Sequence, residues 1–200
     1  MPDGANHVAF AYSADGKDRL TTTYPNFNLS DGTKDFSGDW WLSDLSENDG
    51  TYKGLTVKKS EGPGITKPFM APKDGVYTFS AYVKGSGDSA DIRRHVTLNN
   101  VSDEVAPIKP MGNNFDWLRD SFQVNLKEGD EIYAQYNVDG SGVLRNAGHK
   151  WEEGSTATPW MPSASEATVE DYPSHIGTYT DNKSNEQSTD PEKYTWKKIE

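Results

Sequence analysis

Hydrophobic and polar residues alternate with a period of two along much of this chain. In VYTFSAYVKG, residues 76–85, Tyr77, Phe79, Ala81 and Val83 fall on one side, and Thr78, Ser80, Tyr82 and Lys84 on the other. A strand with one buried face produces this pattern, because successive side chains point to opposite faces. EIYAQYNV, residues 131–138, sets Ile132, Ala134, Tyr136 and Val138 against Tyr133, Gln135 and Asn137. Further strands are read at 28–36, 52–58, 65–70, 92–101, 115–126 and 143–153, with a Trp40-Trp41-Leu42 cluster after the Ser37-Gly38-Asp39 turn. Turns stand at Pro72-Lys73-Asp74-Gly75, Lys127-Glu128-Gly129-Asp130 and Asp139-Gly140-Ser141-Gly142; the second is read as joining strands 115–126 and 131–138 into a pair. The pattern predicts an all-β fold, a β-sandwich of jelly-roll type with roughly eight or nine strands at about ten-residue spacing.

The pattern fades at both ends. Residues 1–26 read as a polar arm or linker carrying one or two short strands. Residues 27–162 read as the sandwich module. Residues 163–200, rich in Ser, Thr, Asn, Asp and Glu, read as a polar linker with a small hairpin around Ile176–Thr180 and Tyr194–Trp196. That hairpin alone buries too little to fold independently.

Charge and composition narrow the function classes. A net charge of −11 gives no basic footprint for nucleic acid or an anionic membrane surface. No apolar run approaches the roughly 20 residues that span a bilayer, so no membrane insertion is expected. The opening MPDGANHVAF lacks the basic and apolar regions of a secretory signal. The absence of cysteine excludes disulfides and thiolate metal sites.

Catalytic constellations are not assembled by the sequence. His7, His95, His149 and His175 are far apart and match no metal-ligand spacing. There is no nucleophile elbow and no phosphate-binding glycine motif. Glu152 and Glu153 are adjacent on a predicted strand and face opposite ways, so they cannot flank one glycosidic bond; a cross-strand pair such as Glu131 with Glu152 stays open. The expectation is a non-enzyme, with a cell-wall hydrolase as the catalytic rival. No cofactor is required. Oxygen ligands such as Asp31, Asp35, Asp49 and Glu152 make a structural calcium compatible with the composition, but no calcium-loop motif selects among them.

Six Trp and ten Tyr in so polar a chain exceed the needs of one sandwich core. Sugar rings offer flat C–H faces and a rim of hydroxyls, which suit exposed aromatic planes beside amide or guanidinium hydrogen-bonders. The predicted polar faces put Tyr82, Trp117, Arg119, Gln123, Tyr133, Gln135 and Asn137 on the same side of neighbouring strands. Trp40 and Trp41 face opposite ways if extended, so one is buried and Trp41 is taken as the available ring. Tyr82, Trp117, Arg119, Tyr133, Gln135, Asn137 and Trp41 form the predicted carbohydrate-binding set. Trp151, among polar neighbours, is read as a packing residue.

Several strings add a resemblance. ADGKDRLTTTYPNFNL, DGTKDFSGDWW, APKDGVYTFSAYVK, NNFDWLRDSF and HKWEEGSTATPWMPSASE resemble a carbohydrate-binding-like jelly-roll module of tail proteins from phages and prophages of Gram-positive bacteria. The closing IGTYTDNKSNEQSTDPEKYTWKKI resembles the connector that follows it. The last strand of such modules carries Lys-aliphatic-Glu before Gly-Ser, and here Trp151 takes the middle position. The resemblance implies a module of a baseplate, distal tail or fibre protein in the virion, acting at the host cell surface. Its implied partners are host cell-wall polysaccharide and other tail or baseplate proteins, with no nucleic acid. The rival reading is a structural spacer or oligomerisation module that binds no glycan.

Overall fold

The computed structural model describes residues 4–200. Thirteen strands are present among them: β1 Ala5–Ala11, β2 Glu47–Tyr52, β3 Leu55–Ser60, β4 Phe69–Met70, β5 Gly75–Ser86, β6 Asp91–Leu98, β7 Val101–Ser102, β8 Lys109–Gly112, β9 Phe115–Leu126, β10 Glu131–Asp139, β11 Val143–Glu153, β12 His175–Asp181 and β13 Thr195–Lys198. The only helical elements among the described residues are three short 3₁₀ turns. The chain divides into two compact units, Asn28–Ala157 and the combination of Met1–Phe27 with Thr158–Glu200.

The larger unit is an all-β sandwich of jelly-roll type. One sheet has the order β2-β3-β11-β5-β9; the other has β4-β10-β6-β7, with β8 also paired to β6. Every pairing is antiparallel. The alternating residues Tyr77, Phe79, Ala81 and Val83 of β5 face Ile132, Ala134, Tyr136 and Val138 of β10 across one core. Trp151 is buried there, its ring stacked on Phe69 at 5.1 Å and packed against Phe79 and Phe122. The indole at the aliphatic position of the resemblance is therefore a bridge between the sheets.

Five sequence readings differ from the structure. The run 52–58 is broken at Lys53-Gly54, where β2 turns back into β3, and of 65–70 only Phe69–Met70 is a strand. Residues 28–36 form turns instead of a strand: Gly32 and Phe36 adopt positive φ, and the Asn28 side chain binds Thr33 and the His149 carbonyl. The run 92–101 breaks at Asn99-Asn100, both left-handed, which folds β6 back onto β7 as a hairpin. The Lys127–Asp130 turn does not make a hairpin. It carries the chain from β9 in one sheet to β10 in the other, its backbone bonded to Ala71.

The smaller unit corrects the picture of an arm and a separate linker. β1 pairs with β12 over seven residues, and β12 pairs with β13, so the two chain ends build one three-stranded sheet. His7 stacks on Tyr179 at 4.4 Å and bonds Asp181 at 2.8 Å. Trp196 fits against Gly16 and Gly177: a Cβ at Gly177 would stand 2.8 Å from its ring, closer than carbon contacts allow. Gly177→Ala is expected to destabilise this sheet by about 1–3 kcal/mol through overpacking. Faster hydrogen exchange of the β12 amides, with β5 and β10 unchanged, checks it.

Candidate functional site

The seven predicted residues fall into two groups, because β9 and β10 lie in different sheets. Tyr82, Trp117 and Arg119 belong to the sheet of β5 and β9; Tyr133, Gln135 and Asn137 belong to the sheet of β10. In each case the alternate residues fill the core, so the two groups stand on opposite outer faces of the sandwich. The expectation of one shared surface on neighbouring strands is corrected accordingly. A sequence pattern reports which residues share a strand face, not which sheet the strand joins.

Trp41 joins the β10 group. Its backbone forms a bridge with Thr66, and residues 62–66 run beside β10 through Gly64 N–H to Tyr136 O and Val138 N–H to Gly62 O. This places the Trp41 ring edge-to-face with Tyr133, centroids 5.1 Å apart. Trp41 is 45% exposed, whereas Trp40 is 7% exposed and packs with Phe36 and Ile65. Gln135 Nε2 donates to Gly64 O at 3.0 Å, which fixes the amide beside the rings. Register adds residues that the alternation did not single out: Thr97 lies opposite Tyr133, His95 opposite Gln135 and Arg93 opposite Asn137. His95 Nδ1 meets Asp103 at 3.1 Å, and Arg93 donates to Asp91. The result is a flat strip with two rings at one end and a row of amide, imidazole and guanidinium groups leading away from them.

The second group is more closed. β2 and β3 form a hairpin that turns at Lys53-Gly54, both with positive φ. Its Tyr52 lies flat on Trp117, centroids 4.3 Å apart and planes within 12°, and edge-on to Tyr82 at 5.2 Å. Tyr82 is 7% exposed, and the Arg119 guanidinium lies 5.7 Å from its ring while donating to Ser80 Oγ. One face of the Trp117 indole is thus occupied from within the chain. The sequence reading makes Tyr52 only the first residue of a strand 52–58 and not part of a site; the structure makes it the last residue of β2. Gln123 stays exposed farther along β9.

The acidic candidates are engaged elsewhere. Glu131 and Glu152 stand on strands of different sheets. Glu152 is fully buried 3.4 Å from the Lys150 ammonium, and burial pulls Lys150 down to about 8 despite that carboxylate. Asp49 holds Arg145 in a charge-assisted hydrogen bond, which lowers its carboxyl below the ordinary range. Among the described residues no three acidic or imidazole groups come together in a way that would hold a metal ion.

No family model matches the chain, and no curated protein matches it. Solved structures do. The tripod (BppUct-A-L) from the baseplate of bacteriophage Tuc2009 aligns with a TM-score of 0.63 at 23% identity, covering 100% of this chain and 80% of that one. TmCBM61 in complex with β-1,4-galactotriose gives 0.47 at 12% identity, covering 64% and 100%. The CBM22-1 xylan-binding domain from Paenibacillus barcinonensis Xyn10C gives 0.44 at 14%, covering 78% and 99%. The first likeness establishes a shared fold. The other two are too low to carry more.

Proposed function

We propose that this chain is a non-catalytic saccharide-binding module of a phage tail, adhering the virion to host cell-wall polysaccharide through the outer face of the β10 sheet. The observation that carries the reading is the Trp41–Tyr133 pair, two rings held at 72° to one another with Gln135, His95, Asn137 and Arg93 in line beside them. A sugar ring packs its C–H face on the exposed indole, and the polar row takes its hydroxyls. The tail setting is supported by the fold shared with a baseplate tripod chain, and other tail proteins are the partners this implies. Single-site affinity is weak in this reading, and many copies on a particle supply avidity.

Trp41→Ala and Tyr133→Ala are each expected to weaken binding to purified host-wall polysaccharide about threefold to tenfold. Circular dichroism and melting temperature should stay unchanged, since Trp41 is not core. Isothermal titration against wall fragments checks it, and unchanged affinity in the double variant would overturn the assignment. The stacking of Tyr52 on Trp117 favours a structural role for the opposite face, as in a spacer or oligomerisation module. Trp117→Ala is accordingly expected to lower stability by about 1–2 kcal/mol, through loss of ring packing, while leaving saccharide affinity in place.

A further inference from the structure

Charge is unevenly spread over the strip that carries Trp41 and Tyr133. Outward residues alternate with core residues along β6 and β10, so Asp91, Arg93 and His95 face the same side as Glu131, Asn137 and Asp139. Both basic groups already hold a carboxylate. Arg93 donates to Asp91, and Asp139 stands opposite Asp91 in the ladder; Asp91 first, and Asp139 after it, push the guanidinium above its ordinary value. His95 Nδ1 meets Asp103, whose other oxygen accepts from the Val96 amide. Glu131 extends the row on the far side of Tyr133. Lys67, next to Thr66, is turned away: its ammonium lies over the buried Trp40 ring and donates to the Asp31 carbonyl. Taking this strip as the saccharide site proposed above, we infer that it selects uncharged wall polysaccharide and rejects polymers that bear phosphate or uronate groups.

Electrostatics and hydrogen bonding point the same way. Carboxylates outnumber basic groups on the strip even when the His95 imidazole is protonated, because Asp91, Asp103, Asp139 and Glu131 stand against Arg93 and His95 alone. The net charge of −11 adds to that field at low ionic strength. An incoming phosphate or uronate must displace a carboxylate from Arg93 or His95 and then remain beside it, a like-charge contact that discriminates against such a ligand. Carboxylates also accept hydrogen bonds without donating any, so the ligand has to donate. Hydroxyls of an uncharged sugar donate, and the amides of Gln135 and Asn137 both donate and accept. An ionised phosphate or uronate group only accepts. The Trp41 indole takes the C–H face of any of these sugars, so charge decides among them.

The test is a calorimetric titration of the full chain with host-wall polysaccharide, split by anion exchange into an uncharged fraction and a fraction bearing phosphate or uronate. Each is measured at about 0.01 M and about 0.15 M salt. The uncharged fraction should bind with an affinity that changes less than about twofold between the two salts, and the anionic fraction at least about tenfold more weakly at the lower salt. Asp91→Asn with Asp139→Asn, both at the surface, frees Arg93. That variant should raise the ratio of anionic to uncharged affinity about threefold to tenfold at the lower salt. Equal or tighter binding of the anionic fraction that weakens when Trp41 and Tyr133 are both changed to Ala, or an unchanged ratio in the Asp91, Asp139 variant, would overturn this selectivity while leaving the strip as the saccharide site. Binding that the double ring variant does not weaken, or no binding of either fraction, overturns the reading of the strip itself.

Discussion

Asp120→Ala should destabilise the sandwich by about 3–5 kcal/mol, because it removes the carboxylate that an otherwise apolar core places against a buried guanidinium. Asp120 is 1% exposed on β9, and Arg94 is 5% exposed on β6 in the facing sheet. Arg94 meets both carboxylate oxygens, at 3.1 and 2.9 Å; Lys109 donates at 2.6 Å and the Tyr136 hydroxyl at 2.8 Å. Truncation leaves Arg94 charged without a counter-ion and the Tyr136 hydroxyl unpaired. At roughly 2–4 °C per kcal/mol for a chain of this size, the melting temperature falls by roughly 10 °C. Replacing both partners, as in Arg94→Met with Asp120→Leu, should cost less than the single change, since a buried ion pair is expensive to halve and cheaper to replace whole. A single-variant loss below about 1 kcal/mol would mean that water reaches the network.

Acid should weaken the same unit through His149, with an effect on the order of 5 kcal/mol between neutrality and pH 3. His149 is 4% exposed, with Phe36, Trp40, Phe79 and Tyr136 arranged edge-on around it. Its Nε2–H donates to Asn146 Oδ1 at 2.5 Å. Burial pushes its pKa from 6.5 to about 3. Folded protein therefore keeps the ring neutral where the unfolded chain protonates it. The stabilisation is complete above about pH 6.5 and is lost at about 1.4 kcal/mol per unit as pH falls toward 3. Denaturant midpoints between about pH 6.5 and 4.5 isolate this group from the carboxylates, which titrate lower. His149→Gln should flatten that slope. A wild-type His149 ring that titrates near 6.5 by NMR would contradict the account.

Strand faces were legible in the sequence because burial acts on alternate residues. The alternation in 76–85 and 131–138 assigned the inward residues of β5 and β10 to the core, where they lie. It could not reveal sheet membership. Lys127–Asp130 has the composition of a hairpin turn, yet its backbone bonds to Ala71 and sends β10 into the opposite sheet. That single corner splits the predicted residues between two surfaces. Tyr52 was missed because 52–58 reads as one strand, whereas the chain turns at Lys53-Gly54 and leaves Tyr52 at the end of β2, and its partner Trp117 lies 65 residues away in sequence (117 minus 52). His95 and Arg93 were missed because their neighbourhood with Gln135 and Asn137 is set by inter-strand register, which only the fold fixes. In the small sheet the β12–β13 pair was read as a hairpin, but the addition of β1 escaped for the same reason: β1 and β12 are each marginal alone and become a ladder only together.

The central claim is that an exposed pair of rings and a polar strip on the β10 sheet receive host-wall saccharide. A crystal structure of the chain soaked with oligosaccharides released from the host wall tests it most directly. The account predicts a sugar ring against the Trp41 indole, with hydroxyls within hydrogen-bond distance of Gln135, His95 or Asn137. Sugar bound only on the face bearing Tyr52 and Trp117, with the Trp41–Tyr133 surface empty, would contradict it.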